Sequence, residues 1–174
     1  MSDINDFVIE DGVLIAYEGD SSDVVIPDSV SSIGEEAFRG CTRLTSVEIP
    51  SSVSSIGERA FYGCTNLKKF SISQDNEFFA SVNEAIYSKD RKKLIQYVCL
   101  SNATHFSIPD GVTSIGDYVF FECTGLTSIE IPYSVIEIGE DVFDGCNDNL
   151  VIITSADSYA EEYAMENGIK VKFI

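Results

Sequence analysis

The chain has 174 residues, enough for one domain or two small ones. It carries 29 acidic against 11 basic residues, and a formal net charge of −18 argues against binding nucleic acid or anionic lipid through clustered cations. Hydrophobic residues make up 44%, near the globular average, so the chain is expected to fold in spite of its charge. No apolar run approaches the roughly 20 residues that span a bilayer, and residues 1–6 lack the basic and apolar segments of a signal peptide.

The first predicted element is a β-hairpin over residues 7–17. Hydrophobic residues flank Asp11-Gly12, and an Asp-Gly dipeptide favours the two-residue turn of a hairpin. We expect this hairpin to cover the open edge of the strands that follow, because an exposed edge invites aggregation. Residues 1–25 are therefore predicted to form an N-terminal cap.

A repeated pattern follows, with two copies in residues 26–71 and two in residues 108–154. Within each pair the shift is 23 residues, and it brings all four prolines of the chain to one position. The four aligned positions are Pro27, Pro50, Pro109 and Pro132; Gly34, Gly57, Gly116 and Gly139; Phe38, Phe61, Phe120 and Phe143; and Cys41, Cys64, Cys123 and Cys146.

Each copy is predicted to form one turn of a solenoid. The alternation that ends at Ile49 indicates a short strand with one buried face, and Pro50, which has no N–H, ends it. Gly57 is expected to supply a positive φ, and Phe61 and Cys64 are expected to enter the interior. One unit buries too little to be stable, but stacked copies at a spacing of roughly 4.8 Å bury a continuous column of apolar side chains.

The period is broken in residues 72–107, where one repeat carries 13 extra residues. Two β-rich stretches, 85–87 and 94–98, surround a charged turn and predict a hairpin that stays in the stack while its turn bulges outward.

Residues 155–174 are predicted to form a C-terminal cap. Ser158 and Glu161 have the spacing of a capping box at the start of a helix, and Asn167-Gly168 indicates its end. Residues 169–174 are predicted to form a last strand.

The pattern Ile-Pro-x-x-Val-x-x-Ile-Gly-x-x-Ala-Phe-x-x-Cys-x-x-Leu-x-x-Ile/Val resembles the BspA-like leucine-rich repeat over roughly residues 24–154. The resemblance implies a single leucine-rich-repeat solenoid domain over residues 1–174. This fold is a right-handed β/α superhelix of mostly short β-strands and tight turns, with an N-terminal β-hairpin cap and a C-terminal helix–strand cap. It also implies a secreted or cell-surface protein that mediates adhesion or protein–protein contact.

The cysteines are predicted to be five free thiols, used as small apolar residues of the stack. Four follow the repeat spacing, no Cys-x-x-Cys occurs, and the single histidine cannot complete a zinc site. Thiols that point in parallel from adjacent turns keep their Cβ atoms about as far apart as the turns, which is too far for a disulfide.

No catalytic residue, cofactor or metal site is predicted, and the chain is expected not to be an enzyme. His105 lies next to a strand residue and should face solvent, and the acidic pairs that begin at Glu35 and Glu140 lie in exposed turns. Residues 144–149 are rich in oxygen ligands but lack the spacing of an EF-hand loop. No Gly-x-Ser-x-Gly motif and no phosphate-binding loop is present.

Because no catalytic, cofactor or metal site is predicted, the candidate binding residues are the outward side chains of the strands, which form one long face of a solenoid. They are Ser46, Glu48, Lys69, Ser71, His105, Ser107, Ser128 and Glu130. These residues are small and polar, so the partner stays an unknown protein or surface ligand. A structural spacer with no ligand of its own is the alternative function. We expect a monomer that does not insert into membranes.

The charge is unevenly distributed along the chain. Residues 1–38 carry ten acids and no base, residues 94–169 carry thirteen acids and no base, and the segment between them is mildly basic. Its cations centre on Lys68, Lys69 and residues 89–93, so Lys89, Lys92 and Lys93 could receive an acidic partner. The other interpretation is that the acidic ends confer solubility and oppose end-to-end stacking.

Overall fold

The structure is a computed structural model that describes residues 3–99 and 103–174; Met1 and Ser2, the first residues of the terminus considered above, lie outside this range. The described residues form short β-strands and one α-helix. It divides into two compact units, Met1–Lys89 (unit 1) and Asp90–Ile174 (unit 2).

Unit 1 opens with a 3-10 turn, Ile4–Asp6, and the predicted hairpin of β1 (Phe7–Glu10) and β2 (Val13–Tyr17). Asp11 and Gly12 have φ values of 47° and 80°, which a type I′ turn requires, so the hairpin prediction is confirmed. β2 pairs in parallel with β4, and the hairpin therefore caps that sheet. The other strands of unit 1 are β3 (Asp23–Val25), β4 (Ser32–Ile33), β5 (Ser46–Ile49), β6 (Ser55–Ile56), β7 (Lys69–Ile72), β8 (Phe79–Val82) and β9 (Ala85–Ser88).

Each regular turn of unit 1 has three sides, and each side is hydrogen-bonded to the next turn. The first side is the parallel sheet β3-β5-β7, and the second is the sheet β1-β2-β4-β6. On the third side, the amide of Phe38 donates to the carbonyl of Ala60 at 2.8 Å, and the amide of Gly40 donates to that of Tyr62 at 2.8 Å. The 23-residue period is thus the number of residues in one circuit of these sides.

Unit 2 repeats this arrangement. Its parallel sheet has the order β11-β13-β15-β16, and β10, β12 and β14 form the second side. The strands are β10 (Lys93–Tyr97), β11 (His105–Ser107), β12 (Ser114–Ile115), β13 (Ser128–Glu130), β14 (Glu137–Ile138), β15 (Val151–Thr154) and β16 (Lys170–Phe173).

Helix α1 (Tyr159–Glu166) and β16 form the predicted C-terminal cap. The Ser158 hydroxyl accepts the amide of Glu161 at 3.2 Å, whereas the Glu161 carboxylate accepts the amide of Asp157 at 2.7 Å. The reciprocal bond of the capping box therefore reaches one residue further back than predicted. Gly168 ends the helix at a φ of 68°.

The interior consists of the predicted columns of Leu, Val, Ile and Phe. In unit 1 the rings of Phe38 and Phe61 stack at 5.0 Å, and in unit 2 those of Phe120 and Phe143 stack at 5.4 Å. All four rings are buried. Stacked aromatic rings add about 0.5–1.5 kcal/mol per pair to the free energy of burial.

The prediction that the repeat glycine has a positive φ is wrong. Gly34, Gly57, Gly116 and Gly139 are absent from the positive-φ residues, and the left-handed residue lies two positions later, at Glu36, Arg59, Tyr118 and Asp141. The glycine is needed for a different reason. A Cβ on Gly57 would lie 2.5 Å from the nitrogen of Glu35 and 2.7 Å from the carbonyl carbon of Gly34, so backbone from the neighbouring turn occupies the space.

The irregular region contains both predicted strand segments, as β9 and β10. Unit 1 adds a hairpin that the sequence did not reveal, in which β8 pairs antiparallel with β9 around Asn83 at a φ of 43°. The buried Asn76 precedes this hairpin and stabilises its start. Its side-chain amide donates to the carbonyls of Pro50 and Val53, and its oxygen accepts the amide of Phe79. These bonds satisfy backbone groups where the period is broken.

Candidate functional site

The outward side chains of unit 1 form two strand rows in register. The first row is Asp23, Ser46 and Lys69, and the second is Val25, Glu48 and Ser71. Four of these residues were predicted; Asp23 and Val25 were not, because Ser21 stands where the next copy has Leu44 before the strand. Ser46 and Ser71 are half-buried, and Glu48 and Lys69 are exposed.

The first row of unit 1 is tied together by hydroxyl groups. Ser46 donates a short hydrogen bond to the Asp23 carboxylate, which also accepts bonds from Ser22 and Thr45. The bond from Ser46 and then that from Ser22 lower the pKa of Asp23 below its usual value. Asp23 is therefore an ionised, oriented acceptor on the surface at neutral pH.

Unit 2 also presents two strand rows. The first is His105, Ser128, Val151 and Lys170, and the second is Ser107, Glu130, Ile153 and Lys172. His105 Nδ1 lies 3.0 Å from the Ser128 hydroxyl, and Ser107 donates to the Glu130 carboxylate at 3.1 Å.

The last two strands of unit 2 contribute row residues that the sequence analysis missed. Val151 and Ile153 are apolar and half-buried, and Lys170 and Lys172 are exposed. The proline and glycine columns end before this turn, so the repeat pattern no longer marks these residues. The alternation in residues 151–154 and 170–173 is the signal that could have found them.

The predicted basic residues are exposed, and the ammonium groups of Lys89 and Lys92 contact backbone. In unit 1 the Lys89 ammonium donates to the carbonyl of Asn76, and in unit 2 the Lys92 ammonium donates to that of Gly111 at 3.1 Å. Lys93 begins β10 and is exposed. These contacts fix where the positive charges of Lys89 and Lys92 lie.

The prediction of five free thiols is wrong. Cys99 and Cys123 form a disulfide with a Cα–Cα distance of 5.0 Å, and Cys41, Cys64 and Cys146 are free. Cys99 follows its ring residue, Tyr97, by two positions, whereas the repeat cysteines follow theirs by three. Because of this one-residue displacement, the Cys99 side chain is directed towards Cys123 instead of running parallel to it.

The free thiols are bound to backbone. Cys64 donates to the carbonyl of Phe38, and Cys146 donates to that of Phe120, both at 3.0 Å. Burial raises the pKa of Cys146 to about 11, and a hydrogen bond with Cys41, followed by burial, raises that of Cys64. Neither thiol is a nucleophilic thiolate at neutral pH.

Unit 2 contains a cavity of about 310 Å³ beside the end of α1. Phe143, Leu150 and Ile169 supply apolar walls, and Asn147, Asp148 and Asn167 supply polar groups. Cys146 also lines this cavity, and its thiol donates to the carbonyl of Phe120. Within residues 3–99 and 103–174, no group of three or more His, Cys, Asp or Glu side chains is arranged to hold a metal ion. In the same residues, no helix has the length and apolar character needed to cross a membrane.

Comparisons with known proteins agree with this geometry. The chain matches the model of the BspA type leucine rich repeat region, in six copies, over residues 16–96 and 93–174. No curated protein matches the chain.

Among solved structures, a leucine rich cell surface protein of Faecalibacterium prausnitzii A2-165 is 30% identical, with a TM-score of 0.62 over 76% of this chain and 41% of that one. A leucine rich repeat protein of T. pallidum is 26% identical, with a TM-score of 0.54 over 87% of this chain and 70% of that one. A leucine-rich repeat protein of Bacteroides ovatus ATCC 8483, at 23% identity and a TM-score of 0.54 over 92% of this chain and 44% of that one, shares the fold. The chain thus spans less than half the length of the first of these proteins.

Proposed function

Because the chain belongs to the BspA-type leucine-rich repeat family, we propose that it is a non-enzymatic protein-recognition or adhesion module of a secreted or cell-surface protein. The observation that carries this proposal is the register of the strand rows. Ser46, Glu48 and Lys69 in unit 1, and Ser128 and Glu130 in unit 2, are held at the spacing of hydrogen-bonded strands. A row fixed in this way can make several weak contacts at once with little loss of conformational entropy.

The disulfide supports placement outside the cytosol. Disulfides persist in oxidising compartments and are rare where thiols are kept reduced. The similar Faecalibacterium prausnitzii protein is described as a cell surface protein, which favours the same location for this one.

The proposal is tested by binding to a panel of purified extracellular-matrix proteins. The comparison is between the unchanged protein and a variant with Glu48→Lys, Lys69→Glu and Glu130→Lys. If a strand row is the binding surface, the variant should lose at least tenfold in affinity for whichever protein binds.

Glu166→Lys is the matched control, because it produces the same change in net charge on an exposed residue of α1. Binding that falls equally in both variants would contradict the assignment to the strand rows.

The basic residues are tested separately in each unit, by Lys89→Glu and by Lys92→Glu with Lys93→Glu. An acidic partner that docks on one of these groups should bind more weakly after that reversal and at higher salt, because exposed charge pairs are screened. Unchanged affinity in both variants would leave the lysines with a role in solubility alone.

A structural spacer is the second candidate, and a specific observation favours it. The polar groups of the rows bond to one another, as in Ser46 with Asp23 and Ser107 with Glu130, and large aromatic anchors are missing from the rows. Interfaces obtain most of their binding energy from Trp, Tyr and Arg. A spacer should bind no protein of the panel and should tolerate every reversal named above.

A further inference from the structure

We propose that the free edge of β16 binds an extended peptide in which acidic residues alternate with apolar ones. This inference deepens the proposed function, since it names a surface and the chemistry of its partner. It rests on the domain being a protein-recognition module, but it concerns the edge of the last strand, whose row residues Lys170 and Lys172 are not changed in the strand-row test.

In the described residues, the backbone of β16 is paired with another strand on one side only. The strand pairs in parallel with β15, from Val151 opposite Lys170 to Thr154 opposite Phe173, and it is the last strand in the order of its sheet. The amide of Ile174 donates to the carbonyl of Thr154 at 3.2 Å. This bond shows which of the alternating residues of β16 direct their backbone groups towards β15. The backbone groups of Val171 and Phe173 consequently point away from β15. They offer two donors and two acceptors to an added strand.

The side chains along this edge specify what an added strand should carry. Lys170 and Lys172 are exposed on the outward face, about 6.6 Å apart at the rise of two strand residues. Val171 and Phe173 face the other way, next to the buried Ile152 and Thr154, yet Val171 is only half-buried and Phe173 is 52% exposed. A strand with carboxylates beside the lysines and apolar side chains beside Val171 and Phe173 would satisfy both faces.

The local charge favours the same partner. Lys170 and Lys172 are the only basic residues from position 94 to the end of the chain, where thirteen acids occur. The Lys170 ammonium contacts a neutral group, the side-chain oxygen of Asn149, at 3.2 Å. Positive charge in this part of the chain is therefore concentrated on β16, an edge strand of its sheet.

A second copy of the chain is a poorer occupant than a peptide. Continuing the stack would place β16 beside β3 of the second copy. The hairpin of β1 and β2 extends the other sheet of unit 1 by two strands beyond β4, and α1 packs against β14, β15 and β16. The hairpin and the helix would then compete for the same space, whereas an extended peptide needs only the strand edge.

The test uses fluorescence anisotropy with labelled octapeptides that alternate Glu with Val or Lys with Val, at about 150 mM salt. The Glu–Val peptide should bind at least tenfold more tightly than the Lys–Val peptide. Lys170→Glu with Lys172→Glu should weaken its binding at least tenfold. Arg39→Glu with Arg43→Glu, which changes the net charge equally at two exposed side chains, should leave its affinity within twofold.

Backbone pairing is tested with two further peptides, N-methylated at every Glu or at every Val. Strand addition predicts that one of them loses at least tenfold in affinity and the other does not, because alternate amides face the protein. Equal affinity of both methylated peptides with the parent would overturn strand addition, and so would no binding of the Glu–Val peptide at millimolar concentration.

Two results assign the edge to another role. Self-association in sedimentation velocity that Lys170→Glu with Lys172→Glu abolishes would identify a second copy as the occupant. No binding together with a monomer in every variant would leave the lysines as protection against edge pairing. Either result overturns the peptide proposal without affecting the strand-row test, which uses other residues.

Discussion

At the scale of single residues, the repeat glycine shows how closely neighbouring turns approach. A Cβ on Gly34 would lie 2.7 Å from the carbonyl oxygen of Leu14. A Cβ on Gly139 would lie 2.8 Å from the carbonyl carbon of Gly116. Because these neighbours are backbone atoms, a side chain here can be accommodated only if the turns move apart.

Gly57→Ala is therefore expected to lower the free energy of unfolding by about 3 kcal/mol, since overpacking against backbone forces the stack to shift. Gly40→Ala is the control. Gly40 has a φ of 69° and no atom within 4 Å of where a Cβ would lie, so alanine should cost only about 1 kcal/mol of left-handed strain. Urea unfolding measures both, and equal losses would mean that backbone conformation, not space, selects glycine at position 57.

The stacked aromatic rings of unit 1 are expected to contribute strongly to the free energy of unfolding. Phe61 is buried between Phe38 and Phe70, with ring centroids at 5.0 and 4.9 Å. Phe61→Ala should destabilise the protein by about 3–5 kcal/mol, because it leaves a cavity. Phe78→Ala, at a ring that is 47% exposed, should cost about 1 kcal/mol or less. A loss of under about 1 kcal/mol at Phe61 would show that the interior closes around the missing ring.

The buried Tyr87 is expected to make the free energy of unfolding depend on pH in the alkaline range. Burial raises the pKa of this phenol from its usual 10 to about 12. Above about pH 10 the unfolded chain loses this proton before the folded chain does, so the free energy of unfolding should fall between pH 10 and 12. Tyr87→Phe should reduce that fall, whereas Tyr133→Phe, at a ring that is 62% exposed, should not. Identical alkaline profiles for both variants would contradict the role of Tyr87.

At the scale of elements, the sequence predicted the side chains that recur with the 23-residue period. It did not predict features that lie where this period is broken. The 23-residue shift located the columns of Phe61 and Cys64 because a stack requires the same residue at the same place in each turn. The partner of Cys99 depends on a displacement of one residue, and the row residues of β15 and β16 lie beyond the last proline. The repeat pattern therefore indicates neither the partner of Cys99 nor these row residues.

The disulfide leads to an expectation about the turn that contains Cys99. Denatured protein kept under non-reducing conditions should titrate with three thiols, those of Cys41, Cys64 and Cys146. Prior reduction should raise the count to five. Peptide mapping should recover Cys99 linked to Cys123, and five thiols before reduction would show that adjacent turns are joined by packing and hydrogen bonds alone.

At the scale of the whole molecule, the net charge of −18 opposes compaction. Raising the salt concentration from about 10 mM to about 500 mM should increase the free energy of unfolding by about 1 kcal/mol, because screening weakens the self-repulsion. Sodium chloride is preferred to sulfate, which also strengthens apolar burial. Glu166→Lys should reduce the increase, and a loss of stability with salt would indicate that attractive ion pairs, such as that of Arg59 with Glu35, dominate instead.

The three-sided turn has a consequence for how such a chain changes over time. Each regular turn offers the next one the same amides, carbonyls and column residues that it received from the turn before, as in β3, β5 and β7. A duplicated or deleted segment of one period therefore finds matching neighbours at both junctions. Unequal recombination between two copies can then lengthen or shorten the protein by whole turns, and each product inherits a stack that already fits.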